Sequence, residues 1–280
     1  MENKHKLQLI KGTGFEIDPL RLVSSLVSEN VTTTSPVLQL FMRHIDCDSD
    51  LMQSVYRAKL LNAILMGRVQ TIAELFGMDD SVSGIKAYSF HVTEYFNKLV
   101  RSVNMEMGMP GGNVVTYRQA SEEPCYFMFD EKRLSIVLYN LISNSMTHGK
   151  MEKPRIEIKT AVEDSKLRIS VRDWGVGINS AERKIMYKKY QSIRASELDR
   201  PYRIHGFGLA LCRKLVREMG GTIYYDNIKS GAKFLITLPM QDMGRRRLHE
   251  CKKVELDTNL LYMYMGEAIL KRKFLDKIEE

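Results

Sequence analysis

Long apolar runs and cysteine are both scarce in this chain of 280 residues. The longest apolar runs fall far short of the roughly 18 to 20 residues that a helix needs to cross a bilayer. The start, MENKHKLQLIKG, lacks the apolar stretch of a secretion signal. The four cysteines lie far apart, with no CxxC pattern and no Cys/His cluster. We therefore expect a cytoplasmic protein without a membrane span, a disulfide framework or a zinc site.

Internal repeats and low-complexity tracts are also missing, and the excess of one charge is modest, with a formal net charge of +8. A solvated basic surface accounts for that excess, so nucleic acid is not expected as a partner. With 44% hydrophobic residues the chain can bury a sizeable core, and its length favours two domains plus appendages.

Two apolar patterns at helical spacing predict a pair of helices near the start. The first covers residues 17–45, and the second runs from Leu51 to Phe76, where Gly77 is a stop signal. The short polar connection DCDSD between them predicts an antiparallel hairpin. A hairpin alone cannot bury both stripes, so we expect a homodimer that forms a four-helix bundle through residues 17–84. The stripe of the second helix is Leu51, Val55, Ala58, Leu61, Leu65, Val69, Ile72 and Leu75 or Phe76.

Beyond Gly84 the pattern alternates between strands and helices. The segments RIEIKT and LRISVRD predict a strand pair joined by the turn Glu163-Asp164-Ser165, and Asp130 is a candidate N-cap for a long helix. We predict an α+β fold in which helices cover one face of one mixed or antiparallel sheet. The predicted units are an N-terminal segment, the hairpin, the α+β domain and a basic extension with a helix: 1–16, 17–84, 85–240 and 241–280.

The first motif that carries chemistry is a pair of asparagines on the predicted helix LYNLISNSMTHG. Asn140 and Asn144 are four residues apart, so their carboxamides share one helix face. Each offers a carbonyl oxygen to a hard cation or to a phosphate-bound water. Taken alone, the pair also fits a polar stripe on a solvated helix.

The second motif is DWGVGI, directly after the strand LRISVR. The Asp173 carboxylate at a strand end, beside two glycines that let backbone approach a ligand, can hold the amino-bearing edge of a ring. By itself, DxGxG is also a common turn.

The third motif is GFGLAL, which opens a predicted helix at Gly206 and Gly208. Free N–H groups and the positive dipole end at a helix N-terminus suit phosphates. A single GxG before a helix is again a weak signal.

The order and spacing of the three motifs are more specific than any one of them. They follow each other about thirty residues apart, and then come Gly-Gly, a strand, Gly-Ala-Lys-Phe, a strand and Pro. The set resembles the catalytic and ATP-binding domain of sensor histidine kinases, in the superfamily that also holds DNA gyrase B, MutL and the heat-shock ninety chaperones. The resemblance covers residues 88–240, or 17–240 with the hairpin. It implies an α/β sandwich that binds ATP and Mg²⁺.

The resemblance also implies roles for the residues of the first motif. Asn144 would coordinate Mg²⁺ between the phosphates, and Asn140 would support the phosphate or metal shell from the same face. His148 and Lys150 would lie near the nucleotide. Thr147 stands where the family usually has a basic residue.

In the second motif, the resemblance implies that Asp173 bonds the adenine amino group in a pocket shaped by Gly175, Gly177 and Ile178. In the third, N–H groups from Leu209 onward would embrace the phosphates together with Gly206 and Gly208.

A further departure from the family pattern lies in the third motif. Ala210 replaces a usual glycine, so its methyl group could crowd the approach of backbone to phosphate.

Residues 191–205 would form a mobile lid over ATP, and the preceding Tyr187 and Tyr190 sit where a pair of phenylalanines is usual.

The reaction class depends on Asn140. Hydrolytic members of the superfamily carry a glutamate there to activate water, whereas kinases carry asparagine. An asparagine cannot act as a general base at neutral pH, so phosphoryl transfer or simple binding is favoured over steady hydrolysis.

The segment NVTTTSPV, residues 30–37, aligns with the phosphoacceptor box of the family when Pro36 is set on the box proline. Val31 then occupies the phosphoacceptor position and Thr32 the acid/base position. The valine side chain has no nucleophilic atom that could accept a phosphoryl group. His44 on the same predicted helix is an alternative acceptor, and Ser35 could keep a water-orienting role.

Two functions therefore stay open. One is a dimeric kinase that uses Mg-ATP to phosphorylate His44 or a partner, such as a response regulator or another signalling protein. The other is a pseudokinase or scaffold whose nucleotide-gated hairpin binds a partner without phosphoryl transfer.

Overall fold

The computed structural model describes residues 49–76, 84–108, 114–120, 125–149, 154–178, 183, 207–226, 228, 230–240 and 251–275. The first helix of the predicted hairpin and the NVTTTSPV segment lie outside these residues. The predicted dimer and the predicted domain boundaries at 16/17, 84/85 and 240/241 therefore stay predictions.

Helix α1, Ser49–Phe76, is the second helix of the predicted hairpin and ends where the sequence predicts. The predicted apolar stripe, however, matches its buried face only at Leu75, which is 5% exposed, whereas Leu61 and Leu65 are 50% and 48% exposed. The buried side instead carries Leu60 and Ile64. The sequence pattern missed this face because small and polar residues complete it: Gly67, Thr71, Ala73 and Glu74.

A five-stranded mixed sheet forms the centre of the α+β part, in the order β2-β4-β5-β7-β6. Strand β2 runs parallel to β4, and the other neighbours are antiparallel. Asp164 and Ser165, in the predicted turn between β4 and β5, have positive φ angles of 50° and 56°, as the reversal of a tight hairpin requires. The strands are β2 Val115–Gln119, β4 Ile156–Glu163, β5 Lys166–Asp173, β6 Thr222–Asp226 and β7 Lys233–Pro239.

Helices pack on one face of this sheet, as predicted, and build one hydrophobic core with its inward residues. They are α2, Val92–Met107, α3, Glu131–His148, and α4, Gly208–Glu218. The N-cap of α3 is Asp130, which accepts a hydrogen bond from the backbone N–H of Arg133 over 3.0 Å, as the sequence predicted.

A separate antiparallel pair holds β1, Ala87–His91, and β3, Tyr126–Asp130. The sequence predicted a single sheet, and the two-stranded ribbon corrects this. Its strands pair along their whole length with each other, from Ala87 opposite Asp130 to His91 opposite Tyr126. The two strands therefore form a ribbon that is separate from the main sheet.

The C-terminal extension ends in α5, Thr258–Leu270, followed by a π-helical turn, Lys271–Leu275. Helix α5 contacts α1, α2 and α3, and most of its side chains are buried. No helix in the described part of the chain is long and apolar enough to cross a membrane.

Candidate functional site

The two asparagines of α3 differ in their surroundings. Asn140 is held in place, since its Nδ2 donates a hydrogen bond to the carbonyl of Ile136 over 2.9 Å. Its Oδ1 lies against the start of α4, where a Cβ added to Gly208 would come within 2.8 Å of it. Asn144 follows one turn later on α3 and is half-buried. Thus Asn140 packs the third motif onto the first.

The carboxyl group of Asp173 lies at the end of β5 and is 6% exposed. Its Oδ1 accepts hydrogen bonds from the backbone N–H groups of Gly175, over 2.9 Å, and Ala232, over 3.0 Å. Two amide donors satisfy this oxygen and fix the plane of the carboxylate. The second oxygen, Oδ2, can then accept a hydrogen bond from an amino group of a ligand.

Close backbone contacts join the first and second motifs. A Cβ on Gly175 would lie 2.6 Å from the Cα of Gly149, which directly follows α3. On the other side, Gly177 has a φ angle of +71°, and a Cβ there would lie 2.6 Å from the carbonyl oxygen of Gly231. Both glycines are thus required by contact or conformation.

The first turn of α4 has backbone N–H groups without a side-chain cap, because the N-cap residue is Phe207. The starts of α2, α3 and α5 differ, since a His91, Asp130 or Asp257 side chain accepts a hydrogen bond there. Uncapped N–H groups and the positive end of the helix dipole favour an anion at the start of α4.

Ala210 does not crowd that start. It is 6% exposed and belongs to the hydrophobic core together with Leu211 and Cys212. Its methyl group therefore packs inward from the first turn of α4. The burial of this methyl group does not support the steric conflict that the sequence suggested for this position.

The remaining predicted residues fall into two groups. Ile178 packs against the core, and Thr147 donates a hydrogen bond to the carbonyl of Ser143 over 2.8 Å; His148 lies in the last turn of α3. The others lie outside the described residues: Val31, Thr32, Ser35, Pro36, His44, Lys150, Tyr187, Tyr190, the 191–205 segment and Gly206.

Sequence reasoning missed two contributors to the site. The first is the Ala232 amide, which the Gly-Ala-Lys-Phe segment before β7 could have suggested. The second is Trp174, whose ring contacts the guanidinium groups of Arg155 and Arg172, 4.4 Å and 4.7 Å from the ring centroid. These stacked cations restrain the residue next to Asp173.

This donor set suits Mg²⁺ only when the ion is bound together with phosphate. No cluster of three or more His, Cys, Asp or Glu side chains that could hold a metal occurs among the residues that the structure describes. One carboxamide oxygen, from Asn144, together with phosphate oxygens and waters suits Mg²⁺, which prefers to keep several waters and few protein ligands.

Comparison with known proteins decides what kind of domain carries this geometry. Residues 129–242 match the family described as histidine kinase-, DNA gyrase B-, and HSP90-like ATPase. This part of the chain is a histidine-kinase-type ATPase domain. The domain contains all three motifs, so the arrangement of Asn140, Asp173 and Gly208 belongs to one known fold family.

Relatives of the ATPase domain include sensor kinases from bacteria. The chain is 25% identical over 177 residues to the sensor protein RprX of Bacteroides fragilis, covering 62% of this chain and 33% of that protein. It is 24% identical over 182 residues to the circadian input-output histidine kinase CikA of Synechococcus elongatus, covering 64% of this chain and 24% of that protein. The chain thus spans about a third or less of the length of these relatives.

The fold of the ATPase domain and its neighbouring helices also matches a solved histidine kinase. The crystal structure of full-length ShkA in complex with AMPPNP aligns with a TM-score of 0.57 and 18% identity. The alignment covers 80% of this chain and 46% of that one. The α+β architecture predicted from the sequence is therefore confirmed.

Proposed function

We propose that the chain binds Mg-ATP between α3, the Asp173 loop and the start of α4, and that it acts in a two-component phosphorelay. The observation that carries this proposal is the double hydrogen bond to Oδ1 of Asp173. It leaves one carboxylate oxygen to accept the adenine amino group, while the uncapped start of α4 receives the phosphates. The nucleotide in the solved relative ShkA supports the same ligand class.

Asn144 would share Mg²⁺ with the phosphates, and Asn140 would hold the start of α4 against α3. Mg²⁺ supplies charge neutralisation for the phosphoryl group when it is bound. No carboxylate stands at the position of Asn140 to activate water, which supports transfer over hydrolysis. In the transfer, the bond between the γ-phosphorus and its bridging oxygen breaks, a bond to an acceptor imidazole nitrogen forms, and ADP leaves.

The acceptor would be a histidine of a partner protein, or His44 of this chain, because Val31 cannot accept a phosphoryl group. A homodimer through residues 17–84 and a response regulator as the partner complete this hypothesis. A cytoplasmic location belongs to it as well.

A second candidate is a pseudokinase whose nucleotide state changes the hairpin without phosphoryl transfer. One observation favours it: α4 starts at the proposed phosphate site and also holds α1, through a 3.1 Å ion pair from Lys214 to Glu74. Burial alone would lower the pKa of Lys214, but its hydrogen bonds to Glu218 and Glu74 raise the pKa above the usual value. Lys214 therefore stays charged, and the ion pair can transmit movement of α4 to α1.

Incubation with γ-labelled ATP and Mg²⁺, alone and with candidate regulators, distinguishes the two. Acid-labile label on this chain that disappears in His44→Ala establishes self-phosphorylation, and label on the regulator establishes transfer to a partner. Tight Mg-ADP binding in calorimetry without any label supports the pseudokinase. Absence of nucleotide binding contradicts both candidates.

A further inference from the structure

The C-terminal segment, residues 251–275, contacts α1, α2 and α3 through its helix. Its first residues run beside the small ribbon, where the N–H of Lys252 donates a hydrogen bond to the carbonyl of Ser89 over 2.8 Å. Lys98 of α2 then donates a hydrogen bond to the carbonyl of Val254 over 3.1 Å. Val254 itself is 3% exposed. The segment is thus fixed on the ATPase side before α5 begins.

Helix α5 then crosses α1 at a pair of glycines. A Cβ on Gly67 of α1 would clash with the carbonyl oxygen of Met263 and lie 2.9 Å from its carbonyl carbon. Conversely, a Cβ on Gly266 of α5 would lie 2.8 Å from Cγ1 of Ile64. Each helix therefore offers a glycine to the other, and their backbones approach more closely than larger residues allow.

A partly buried polar cluster, Tyr56, Glu106, Tyr262 and Lys273, ties α1 and the C-terminal segment to α2. The hydroxyls of Tyr56 and Tyr262 donate to the two carboxylate oxygens of Glu106 over 2.6 Å and 2.7 Å. Lys273 of the π-helical turn lies 3.2 Å from Oε2 of the same carboxylate. One carboxylate on α2 thus joins α1, α5 and the turn that follows α5.

Helix α1 is consequently attached along its length. Tyr56 binds α2, Gly67 meets α5, and Glu74 pairs with Lys214 of α4. Tyr56 and Glu74 are about 27 Å apart along a straight helix at 1.5 Å per residue. Of these three attachments, the C-terminal segment makes the second, and it shares Glu106 in the first through Tyr262 and Lys273.

We propose that residues 251–275 are an intramolecular clamp that fixes α1 on the ATPase domain and limits how far the hairpin moves when nucleotide binds. The structural half of this inference stands on the contacts alone, and the nucleotide half rests on the proposed function. With the clamp closed, movement of α4 meets an α1 that is held at two further points. With the clamp open, α1 keeps the Glu74–Lys214 ion pair with α4 but loses its contacts with α5.

The test measures amide hydrogen exchange in the full chain for Gly67→Ala and for Lys273→Ala. Alanine is favoured over glycine inside a helix, so the first change would stabilise α1 if the crossing did not matter. We expect exchange in α5 and α1 to rise roughly tenfold or more in both variants, with β4 and β5 unchanged. The matched controls are Arg57→Ala, exposed on α1, and Lys271→Ala, exposed in the π-helical turn.

Two outcomes overturn the clamp. Unchanged exchange in α1 and α5 would show that the contacts do not restrain them. Equal loss of protection in the helices and in the sheet would show that the segment belongs to one cooperative core.

A second arm repeats the exchange with and without Mg-ADP. We expect Mg-ADP to leave the amide exchange of α1 unchanged in the wild-type chain. In Gly67→Ala, we expect Mg-ADP to change the amide exchange of α1 by roughly threefold or more. Binding of Mg-ADP without this response overturns the nucleotide half of the inference. No binding of Mg-ADP to the wild-type chain contradicts the proposed function, whereas the exchange differences without nucleotide still decide the clamp.

Discussion

The backbone N–H of Ala232 donates a hydrogen bond to Oδ1 of Asp173 over 3.0 Å, across 59 residues of sequence. This bond ties the segment before β7 to the end of β5 and orients the carboxylate. Because the donor is a backbone group, side-chain substitution at position 232 leaves it in place. The orientation of Asp173 is therefore a property of the sheet itself.

Asp173→Asn should lower the affinity for Mg-ADP while the chain stays folded. The asparagine oxygen can keep both backbone donors, but its NH₂ group then faces the adenine amino group, and two donors oppose each other. The loss of a hydrogen bond to a charged acceptor, about 1.5–3 kcal/mol, corresponds to a roughly tenfold to hundredfold weaker Kd in calorimetry. Asp226→Asn, which alters a surface ion pair with Lys233, is the control. Equal affinity of Asp173→Asn and the wild type would exclude this adenine pocket.

Alanine substitutions at the two asparagines of α3 should weaken nucleotide binding in different ways. Asn144→Ala should weaken nucleotide binding by roughly tenfold only when Mg²⁺ is present, because its oxygen would be a metal ligand. Asn140→Ala removes the side chain that packs on Gly208, so it should weaken binding with and without Mg²⁺. Calorimetry in the presence of Mg²⁺ or of a chelator distinguishes them. Identical behaviour of the two variants contradicts the separate roles.

Trp174 should report on adenine nucleotides by its fluorescence. It is the only tryptophan of the chain, and it follows Asp173 directly. We expect Mg-ADP to change its emission at concentrations that are roughly a hundredfold below those needed with Mg-GDP. The physical reason is that a carboxylate accepts from the adenine amino group but repels the guanine carbonyl oxygen. Equal titrations with both nucleotides would count against Asp173 as the base-reading residue.

Glu106 should make the fold sensitive to acid. Burial alone would raise the pKa of this carboxyl, but hydrogen bonds from Tyr56 and Tyr262 and the ammonium of Lys273 lower it below its ordinary value of 4.5. Its stabilising contribution is therefore complete above the unfolded-state pKa and is lost as the pH falls through the lower folded-state pKa.

Urea unfolding of Glu106→Gln at about pH 7 and about pH 4 tests this linkage. The variant should be less stable than the wild type by about 1–2 kcal/mol at neutral pH, and the difference should shrink in acid. Glu94→Gln is the control, because its ion pair with Lys98 is exposed and contributes little. A difference that stays constant with pH would show that ionisation of Glu106 is not the cause.

Much of the fold could be predicted from local sequence signals, namely an N-cap, a turn and alternating apolar residues. Asp130 before an apolar helix predicted its N-cap, the turn at Asp164 and Ser165 predicted a strand pair, and both features are present. Alternation of apolar residues fixed which face of β4 and β5 is buried, since side chains on a strand alternate between the two faces. These features depend on neighbours within a few residues, so the sequence alone carries them.

Other features were beyond sequence reasoning because their partners are distant in the chain. The buried face of α1 could not be predicted from its apolar stripe, since a glycine crossing with α5 is about 200 residues away. Likewise, the methyl group of Ala210 was expected near phosphate, whereas helix packing turns it into the core.

For the candidate site, the sequence alone determined which residue types are candidates to bind a ligand, because the order and spacing of Asn140, Asp173 and Gly208 resemble those of one family. Tertiary structure alone decided the separate structural role of each of these residues. Packing directs Asn140 onto Gly208, two backbone amides orient Asp173, and the C-terminal helix secures α1. The physical reason is that residue identity is local, whereas hydrogen-bond geometry and close packing arise only when distant segments meet.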